Sequence, residues 1–390
     1  MLDIEEIIKL IFKAASLRRW NDHISPIELV ELDKQAHKMV IVYTIAKIQE
    51  ENEEIDWVKL IEKFLFELFY RLELTDLKPQ IFHEMVKERK DDLDKFVLDN
   101  IASTLANFNK RFFEKFENYI QTEEECIEDR IIASAHFLAT DWEFNLIYPS
   151  NSMIYGIDKT KDSIEERIEE HYDLWGVKEL LLNKKIYGFV DLCGQLRFQK
   201  RWSHIPRVPE TSVLGHMLMV AVISYFLTIN TLENPSKKRI YNNFFAGLFH
   251  DLPEVLTKDI ISPIKKSVGG LNDLIGNYEE KMMEQEIEPL IPKWYNEMSF
   301  LTKDEFENKI VKNGKIIKNI PYEEMDSYNE DKFSPVDGEI VDFADKLSAL
   351  REATASVKHG LKSDDLEEAI KNIKDELLLK NKFGVNIDKV

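Results

Sequence analysis

The apolar residues of this chain recur with the period of an α-helix, and few residues interrupt them. Segments such as IIKLIFKA, MVIVYTIAKI and VKLIEKFLFELF place apolar side chains at i, i+3, i+4 and i+7. Only 13 glycines and 12 prolines occur in 390 residues, so residues that break helices are scarce. The pattern predicts an all-α protein. One segment, GKIIKNIPYE from Gly314, also permits a short strand or one arm of a β-hairpin.

Composition restricts the surroundings and the partners. The formal net charge of −20 argues against a nucleic acid polymer as ligand, although a local basic pocket can still bind one small phosphate. Cys126 and Cys193 lack CxxC spacing, which favours a reducing, cytoplasmic location. The N-terminus carries acids where an export signal needs positive charge. The longest apolar run, Met217 to Ile229, is too short to cross a bilayer, so we expect no membrane partner.

The stretch GLFHDLPEVLTKD, which begins at Gly247, concentrates groups that bind metals or carry protons. His250 and Asp251 are adjacent, and Glu254 and Asp259 follow within nine residues of His250. A buried imidazole or carboxylate costs several kcal/mol unless it is paired or binds a metal. The stretch therefore predicts one half of a metal site.

The other half of the site emerges from an internal repeat. Several landmarks recur at an offset of roughly 180 residues, which is the signature of a duplicated unit. In order, the first half has LRRW ending at Trp20, His37 in AHKMVIVYTIA and Asp141 in FLATDW, and the second half has FQKRW ending at Trp202, His216 in GHMLMVAVISYF and Asp345 in DFADKL. We interpret the chain as a tandem duplication with domains at residues 1–180 and 181–390.

The first copy is predicted to be catalytically inactive. Where the second copy has His250 and Asp251, the first has about Tyr70 and Arg71, and arginine is a permanent cation that cannot bind a metal. His37 and Asp141 keep two ligand positions in this interpretation, which is too few for tight binding. The first copy is then either a structural relic or the partner half of an intrachain pseudo-dimer. A homodimer remains open as well.

The second half resembles the HD-domain metal-dependent phosphohydrolases, and within them it is most similar to the bacterial 5′-deoxynucleotidase branch. The residues that carry the resemblance are Arg201-Trp202, His216, His250-Asp251, Glu254 in HDxxE, Asp259 in VLTKD and Asp345 in FADKL. The resemblance implies two tandem HD-domain-like helical bundles. It also implies one divalent metal bound by His216, His250, Asp251 and Asp345, and hydrolysis of a phosphomonoester of a deoxynucleoside. The family often has an acid before the first histidine, where this chain has Gly215.

Two imidazoles and two carboxylates form a mixed nitrogen and oxygen ligand set. Such a set suits one divalent transition metal, namely Mn, Fe, Co, Ni or Zn, rather than calcium or structural zinc. A six-coordinate ion would keep two positions for a phosphate oxygen and a water molecule. The residues alone do not choose among these metals.

Four further residues are candidates for contact with the substrate. Glu254 can orient water or pass a proton to the leaving group, or it is an exposed residue at a helix end. Arg201 is the best phosphate clamp, because its planar donors match phosphate oxygens in pairs. Trp202 can stack on a base or sugar, or anchor the core. Asp259 can accept a hydrogen bond from a sugar hydroxyl, or cap a helix.

These observations predict a metal-dependent phosphohydrolase in which Asp251 and Glu254 are catalytic. The expected substrate is a small phosphorylated molecule, a (deoxy)nucleoside 5′-monophosphate in the reading that follows the resemblance. One alternative is a phosphodiesterase or a hydrolase of a signalling nucleotide. Another is a non-catalytic regulatory or scaffold protein that binds a metal only for its structure.

Overall fold

The protein is built almost entirely of helices, as the sequence predicts. The structure is a computed structural model that describes residues 2–74, 79–122, 125–258 and 271–390. Within these residues the β-structure is limited to two small strand pairs and three isolated bridges. Asp259, one of the predicted substrate contacts, lies outside the described residues.

The α-helices of the first half are mostly long and connected by short segments. They are α1 (Glu5–Phe12), α2 (Glu31–Gln49), α3 (Trp57–Leu74), α4 (Pro79–Phe108), α5 (Lys110–Gln121), α6 (Ile127–Asn151), α7 (Ile157–Glu169) and α8 (Trp175–Leu182).

The second half repeats this style of construction. Its helices are α9 (Lys184–Gln195), α10 (Val213–Thr231), α11 (Lys237–Phe249), α12 (Glu254–Thr257), α13 (Leu271–Met282), α14 (Tyr295–Thr302), α15 (Gly338–Lys358) and α16 (Asp364–Lys380).

Short 3-10 turns in both halves cover Lys13–Ser16, Leu196–Phe198, Tyr322–Tyr328, Asp331–Phe333 and Ile387–Lys389, and a π-helical turn covers Met283–Ile287.

The predicted hairpin is confirmed. Strands β3 (Lys309–Lys312) and β4 (Lys315–Lys318) pair antiparallel across a two-residue turn, in which Asn313 and Gly314 both have positive φ. Positive φ at both central residues is what a tight two-residue hairpin turn requires, and asparagine followed by glycine is the favoured pair. The other pair, β1 (Arg18–Arg19) with β2 (Leu29–Val30), was not predicted from the sequence.

Helices α2 and α10 lie at the centre of the fold and contact each other. Nearly every residue of both is buried, and the largest hydrophobic cluster contains residues from both halves of the chain. The sequence analysis considered only the run Met217 to Ile229, which is too short to cross a bilayer. The helix that contains this run, α10, spans 19 residues and is long and apolar enough to cross a membrane. It is nevertheless a core helix, because 89% of its apolar window is buried inside the protein.

A buried ion pair fixes α15 against α11. Arg239 donates to both carboxylate oxygens of Asp337 at 2.7 Å, and Asn243 exchanges hydrogen bonds with the same aspartate. A bidentate pair of this kind determines orientation as well as distance. Gly338 begins α15 directly after Asp337, so the network sets where the side chains further along α15 meet the end of α11.

Candidate metal centre

Three helices bring the predicted ligands together. His216 lies in the first turn of α10, which begins where the Ser212 hydroxyl accepts a hydrogen bond from the Gly215 amide at 2.9 Å. His250 and Asp251 follow the last residue of α11, where the helix gives way to a turn. Asp345 comes from the middle of α15. The carboxylate and imidazole groups therefore approach one point from separate elements.

The distances suit a metal ion. One ligand atom each from His216, His250 and Asp251 lies within 4.8 Å of the others. Two ligands that are each about 2.1 Å from one ion stand at most ~4.2 Å apart, so only a small contraction is needed. Asp345 is not part of this group of three, but its Oδ1 lies 2.8 Å from His216 Nε2. This contact with a member of the group keeps the Asp345 carboxylate next to the three ligands.

In both imidazoles Nδ1 contacts an oxygen of the protein, which leaves Nε2 facing the centre of the ligand group. His250 Nδ1 donates to the Gly247 carbonyl oxygen at 2.8 Å, and His216 Nδ1 lies 3.0 Å from Ser348 Oγ. His250 Nε2 is buried and faces Asp251 Oδ2 at 3.1 Å, yet it forms no hydrogen bond among the described residues. Metal-binding histidines show this arrangement, because a hydrogen bond at one nitrogen fixes the tautomer that offers the other. The residues present therefore fit a divalent metal.

The charges of the site reinforce one another. Burial alone would lower the pKa of His250, but Asp251 and Asp345 outweigh it and raise the pKa to about 9. Burial alone would raise the pKa of Asp251, but His250, His216 and Arg201 hold it below its usual range. The carboxylates are thus ionised at neutral pH, which is the form that binds metal, and a metal would displace the proton from His250.

Glu352 was missed by the sequence analysis. It lies behind the ligands and contacts Arg201, Trp202, Arg207 and Thr211, and these five residues are called the wall of the site below. Its buried carboxylate accepts hydrogen bonds from Trp202 Nε1 at 2.8 Å and Thr211 Oγ1 at 3.0 Å. Arg207 Nη1 at 3.2 Å and Arg201 Nε at 3.4 Å form ion pairs with it. Its Oε1 lies 3.6 Å from His216 Nδ1. The available signal was the spacing, because Glu352 is seven residues after Asp345 and so on the same face of a helix.

Arg201 and Trp202 occupy different roles in this wall. The Arg201 guanidinium connects Glu352 with the ligand Asp251, since its Nη1 lies 3.4 Å from Asp251 Oδ2. It is thus within reach of a phosphate bound at the ligands. The Trp202 indole is fixed by Glu352 and packs against Ile205 and neighbouring apolar residues. This placement favours an anchor in the core over stacking on a base.

Glu254 begins the short helix α12, because α11 does not continue through Pro253. The residue is 7% exposed, so it is not the exposed glutamate of a helix end. Its carboxylate is close enough to Arg201 to raise the pKa of that guanidinium, although burial acts against this. Glu254 is therefore a buried carboxylate in the neighbourhood of Arg201.

A cavity of about 1090 Å³ opens beside the site, with Asp345 in its lining. Glu305 and Phe306 contribute to it, and burial raises the pKa of Glu305 to about 7. Lys346 also lines the cavity, but its ammonium is paired with Asp342. The sequence contained no signal for Glu305 or Phe306, because they come from a loop that only the fold brings close.

The first half repeats part of the wall. Trp20 Nε1 donates to Glu143 Oε2 at 3.0 Å, and Arg19 Nε donates to the same oxygen at 2.7 Å. Trp20 and Trp202 also share a positive φ of 55°, which is rare for a bulky residue. The Arg-Trp-Glu arrangement of the two halves is therefore the same.

The ligand positions of the first half differ from those predicted. His37 Nε2 lies 3.0 Å from the Val190 carbonyl oxygen, and Asp141 accepts from Asn145. The contact that matches His216 with Asp345 is instead Lys34 Nζ with His136 Nδ1, at 2.6 Å. Lys34 is the fourth residue of α2, as His216 is of α10, and both helices have 19 residues. By its position in the helix, Lys34 rather than His37 is the counterpart of His216.

Gly215, where an acid was expected, provides space for a side chain of the first half. A Cβ atom at this position would lie 2.7 Å from Asp33 Oδ1 and 3.0 Å from Leu32 Cδ2. Asp33 Oδ1 also accepts a hydrogen bond from Ser212 Oγ at 2.6 Å. The absent acid next to His216 is thus explained by the contact between α2 and α10.

Comparison with known proteins agrees with this site. Residues 193–374, slightly less than half of the chain, match the family model described as HD domain. The match contains all four candidate ligands, Arg201 and Glu254, and it supports the HD superfamily for this part of the chain. Domains of this family are typically metal-dependent hydrolases. No curated protein and no solved structure matches the chain.

Proposed function

We propose that the second half of the chain hydrolyses a phosphomonoester, namely a (deoxy)nucleoside 5′-monophosphate, with one divalent metal. The observation that carries the proposal is the convergence of His216, His250 and Asp251 next to an arginine that reaches toward them. A structural metal needs no such cation beside it, whereas a bound phosphate does.

The chain's own residues divide the work. A divalent metal at His216, His250, Asp251 and Asp345 supplies a Lewis acid and a water of lowered pKa. Arg201 binds the phosphoryl oxygens and balances the charge that grows on them in the transition state. Glu254 is buried beside Arg201 and carries the proton that the leaving alkoxide needs. Glu352 holds Arg201 and the back of His216 in place.

The preference for a nucleotide rests on the resemblance and on the size of the cavity. A nucleoside monophosphate fills a few hundred Å³, so a space of about 1090 Å³ accommodates the nucleoside next to Asp345. A cavity of this size is also compatible with a phosphodiester. Experiment therefore has to distinguish the proposed activity from that of a phosphodiesterase.

The test is phosphate release from a panel of 5′-nucleotides and 5′-deoxynucleotides by metal-stripped protein, with Mn, Co, Fe, Ni or Zn added back. Asp251→Ala is expected to abolish release, because it removes one metal ligand. Asp141→Ala is the matched control in the first half and is expected to retain activity, because Asp141 contacts Asn145 rather than a metal site.

The rival functions predict other outcomes. Release of a nucleotide from a diester, without release of inorganic phosphate from a monoester, would replace the proposal by a phosphodiesterase. Stoichiometric metal without turnover of either ester would favour the non-catalytic scaffold.

The first half is proposed to be a degenerate copy that serves as an intrachain partner in a cytoplasmic protein. The shared Arg-Trp-Glu arrangement and the paired helices α2 and α10 support a duplication. The proposed boundary between residues 180 and 181 falls inside the last turn of α8, and α8 and the following α9 both pack on α2. Size measurements in solution would test whether the chain also forms a homodimer.

A further inference from the structure

The turn formed by residues 303–308, called the cavity turn below, brings two side chains to the cavity beside the candidate metal centre. Glu305 and Phe306 line this cavity together with Asp345, one of the candidate ligands. Neither of the two has a part in the mechanism proposed above. When a phosphate is bound at the ligands, the cavity is the space for the rest of the molecule, so both side chains are placed to contact it.

Phe306 offers an apolar surface next to a metal ligand. The centre of its ring lies 6.3 Å from that of the His250 imidazole and 5.8 Å from Lys346 Nζ. The residue is 37% exposed, although an aromatic side chain gains free energy when it is buried. A ring of the substrate that packs on Phe306 would cover this surface while the phosphate lies at the ligands.

Glu305 differs from its charged neighbours in the cavity turn. Lys303 pairs with Glu280, and Asp304 pairs with Lys318. Glu305 itself forms no ion pair with a lysine, arginine or histidine of the described residues, and burial raises its pKa to about 7. Its oxygens are hydrogen-bond acceptors, so the group that suits this position is a donor carried by the ligand.

The lysines of the cavity are engaged by carboxylates. Besides Lys303, the described lining contains Lys346 and Lys380, and both pair with Asp342. Glu376 lies 3.5 Å and 3.4 Å from the same two ammonium groups. A second phosphate in the cavity would have to compete with these carboxylates for the lysines. The part of the substrate that enters the cavity is therefore expected to be uncharged.

The β3–β4 hairpin holds the cavity turn in place. Lys309, the first residue of β3, is 1% exposed, and its ammonium donates to the carbonyl oxygens of Lys303 and Asp304. The backbone of Lys309 exchanges hydrogen bonds with Val336, which shortly precedes α15. Because α15 carries Asp345, the turn and this ligand keep a defined relative position. A fixed position of this kind is what a residue needs to discriminate between ligands.

We infer that Glu305 and Phe306 select the organic part of the substrate, and that this part is an uncharged sugar. A sugar ring has apolar faces that pack on an aromatic ring and hydroxyl groups that donate to a carboxylate, so one ligand satisfies both side chains. The inference rests on the function proposed above, because it takes the phosphate to lie at the candidate ligands. It adds the two residues that distinguish a nucleotide from other phosphomonoesters.

Equilibrium binding of two uncleavable ligands to the full-length protein tests the assignment. One ligand is the phosphonate analogue of a deoxynucleoside 5′-monophosphate, in which a methylene group replaces the ester oxygen. The other is ethylphosphonate, which has the same anionic group but no sugar. The protein is loaded in turn with Mn, Fe, Co, Ni and Zn, at about pH 8, where a carboxyl group with the pKa of Glu305 is ionised. The readout is the ratio of the two Kd values, because a change at the metal or in the charge around the phosphonate affects both ligands.

The parent protein should bind the nucleotide analogue more tightly than ethylphosphonate. In Glu305→Gln this preference should fall about fivefold, because a hydrogen bond to a charged acceptor is replaced by one to a neutral acceptor. In Phe306→Ala it should fall about fivefold or more, because the surface for the sugar is lost. Glu307→Gln and Phe96→Ala are the matched controls and should keep the parent ratio. Glu307 is in the same turn but outside the described lining of the cavity, and Phe96 is an exposed aromatic residue of α4.

A circular dichroism spectrum and a melting curve establish that each variant is folded, and Phe306→Leu replaces Phe306→Ala if the latter is not. A parent protein that binds both ligands equally, or binds neither with any metal, would overturn the inference. An unchanged ratio in either folded variant would overturn the role of that residue. The expected ratios in a protein that releases phosphate from no monoester would refute the proposed activity alone, and phosphate release with unchanged ratios would refute this inference alone.

Discussion

Replacing Glu352 by glutamine should damage both the stability and the proposed activity of the second half. The change keeps the shape of the side chain but removes the charge that faces Arg201 and Arg207. Burial alone would raise the pKa of Glu352, yet these cations and His216 hold it well below its usual value, so the carboxylate is ionised in the native protein. Removing one member of a buried ionic network costs about 3–5 kcal/mol.

The equivalent change in the first half, Glu143→Gln, is a close control. Glu143 is also buried and pairs with Arg19 and Arg197, so the loss of stability should be of the same order. Of these two glutamates, it is Glu352 that contacts the guanidinium of Arg201 and Nδ1 of His216. We therefore expect Glu352→Gln to lower kcat/KM for phosphate release per folded, metal-loaded molecule, and Glu143→Gln to leave it near the parent value.

Urea unfolding followed by tryptophan fluorescence measures the stabilities, and metal analysis with phosphate release measures the activity. Glu352→Gln protein that is folded and loaded with metal, and that releases phosphate as fast as the parent, would refute the role assigned to this carboxylate. Equal losses of activity in both variants would show that the effect is on folding alone.

Two other perturbations have calculable outcomes. Gly215→Ala should destabilise the protein by about 1–3 kcal/mol, because the new Cβ would lie 2.7 Å from Asp33 Oδ1; in Gly276→Ala, where nothing lies within 4 Å, no such loss should appear in the same denaturation assay. Acidification from pH 7 to pH 5 should cost about 2 kcal/mol through His37 alone. Burial, aided by Arg197, lowers the pKa of His37 to about 3, so the unfolded chain takes up the proton first and stability is lost as the pH falls below 6.5. The pH dependence of unfolding should shrink by that amount in His37→Gln, and an unchanged dependence would contradict a neutral, buried His37.

The sequence was sufficient to predict the fold class and the hairpin, because both depend on local patterns. Helical periodicity and an Asn-Gly turn can be recognised without knowing what lies opposite. The grouping of His216, His250 and Asp251 was also predictable, since two of the three are adjacent and the chemistry of such a pair is distinctive. Asp345 follows as a carboxylate that the fold places 2.8 Å from His216.

The register of the proposed repeat could not be predicted in the same way. Helices α2 and α10 are buried on almost every side, so a shift by one turn leaves their apolar pattern unchanged. His37 was therefore assigned the position that Lys34 occupies. Glu352 was missed for a related reason, because its importance lies in contacts with a loop some 150 residues earlier in the chain.

Contacts between the two halves connect the first half to the candidate metal centre. Asp33 fills the space at Gly215, one residue from His216, and holds Ser212 at the start of the helix that carries this ligand. Arg197, four residues before Arg201, extends across to Glu143 at 3.0 Å. Because both contacts are buried, removing the first half would expose the beginning of α10 and leave the Arg197 guanidinium without its carboxylate. The geometry of the metal ligands thus depends on side chains that never touch the metal.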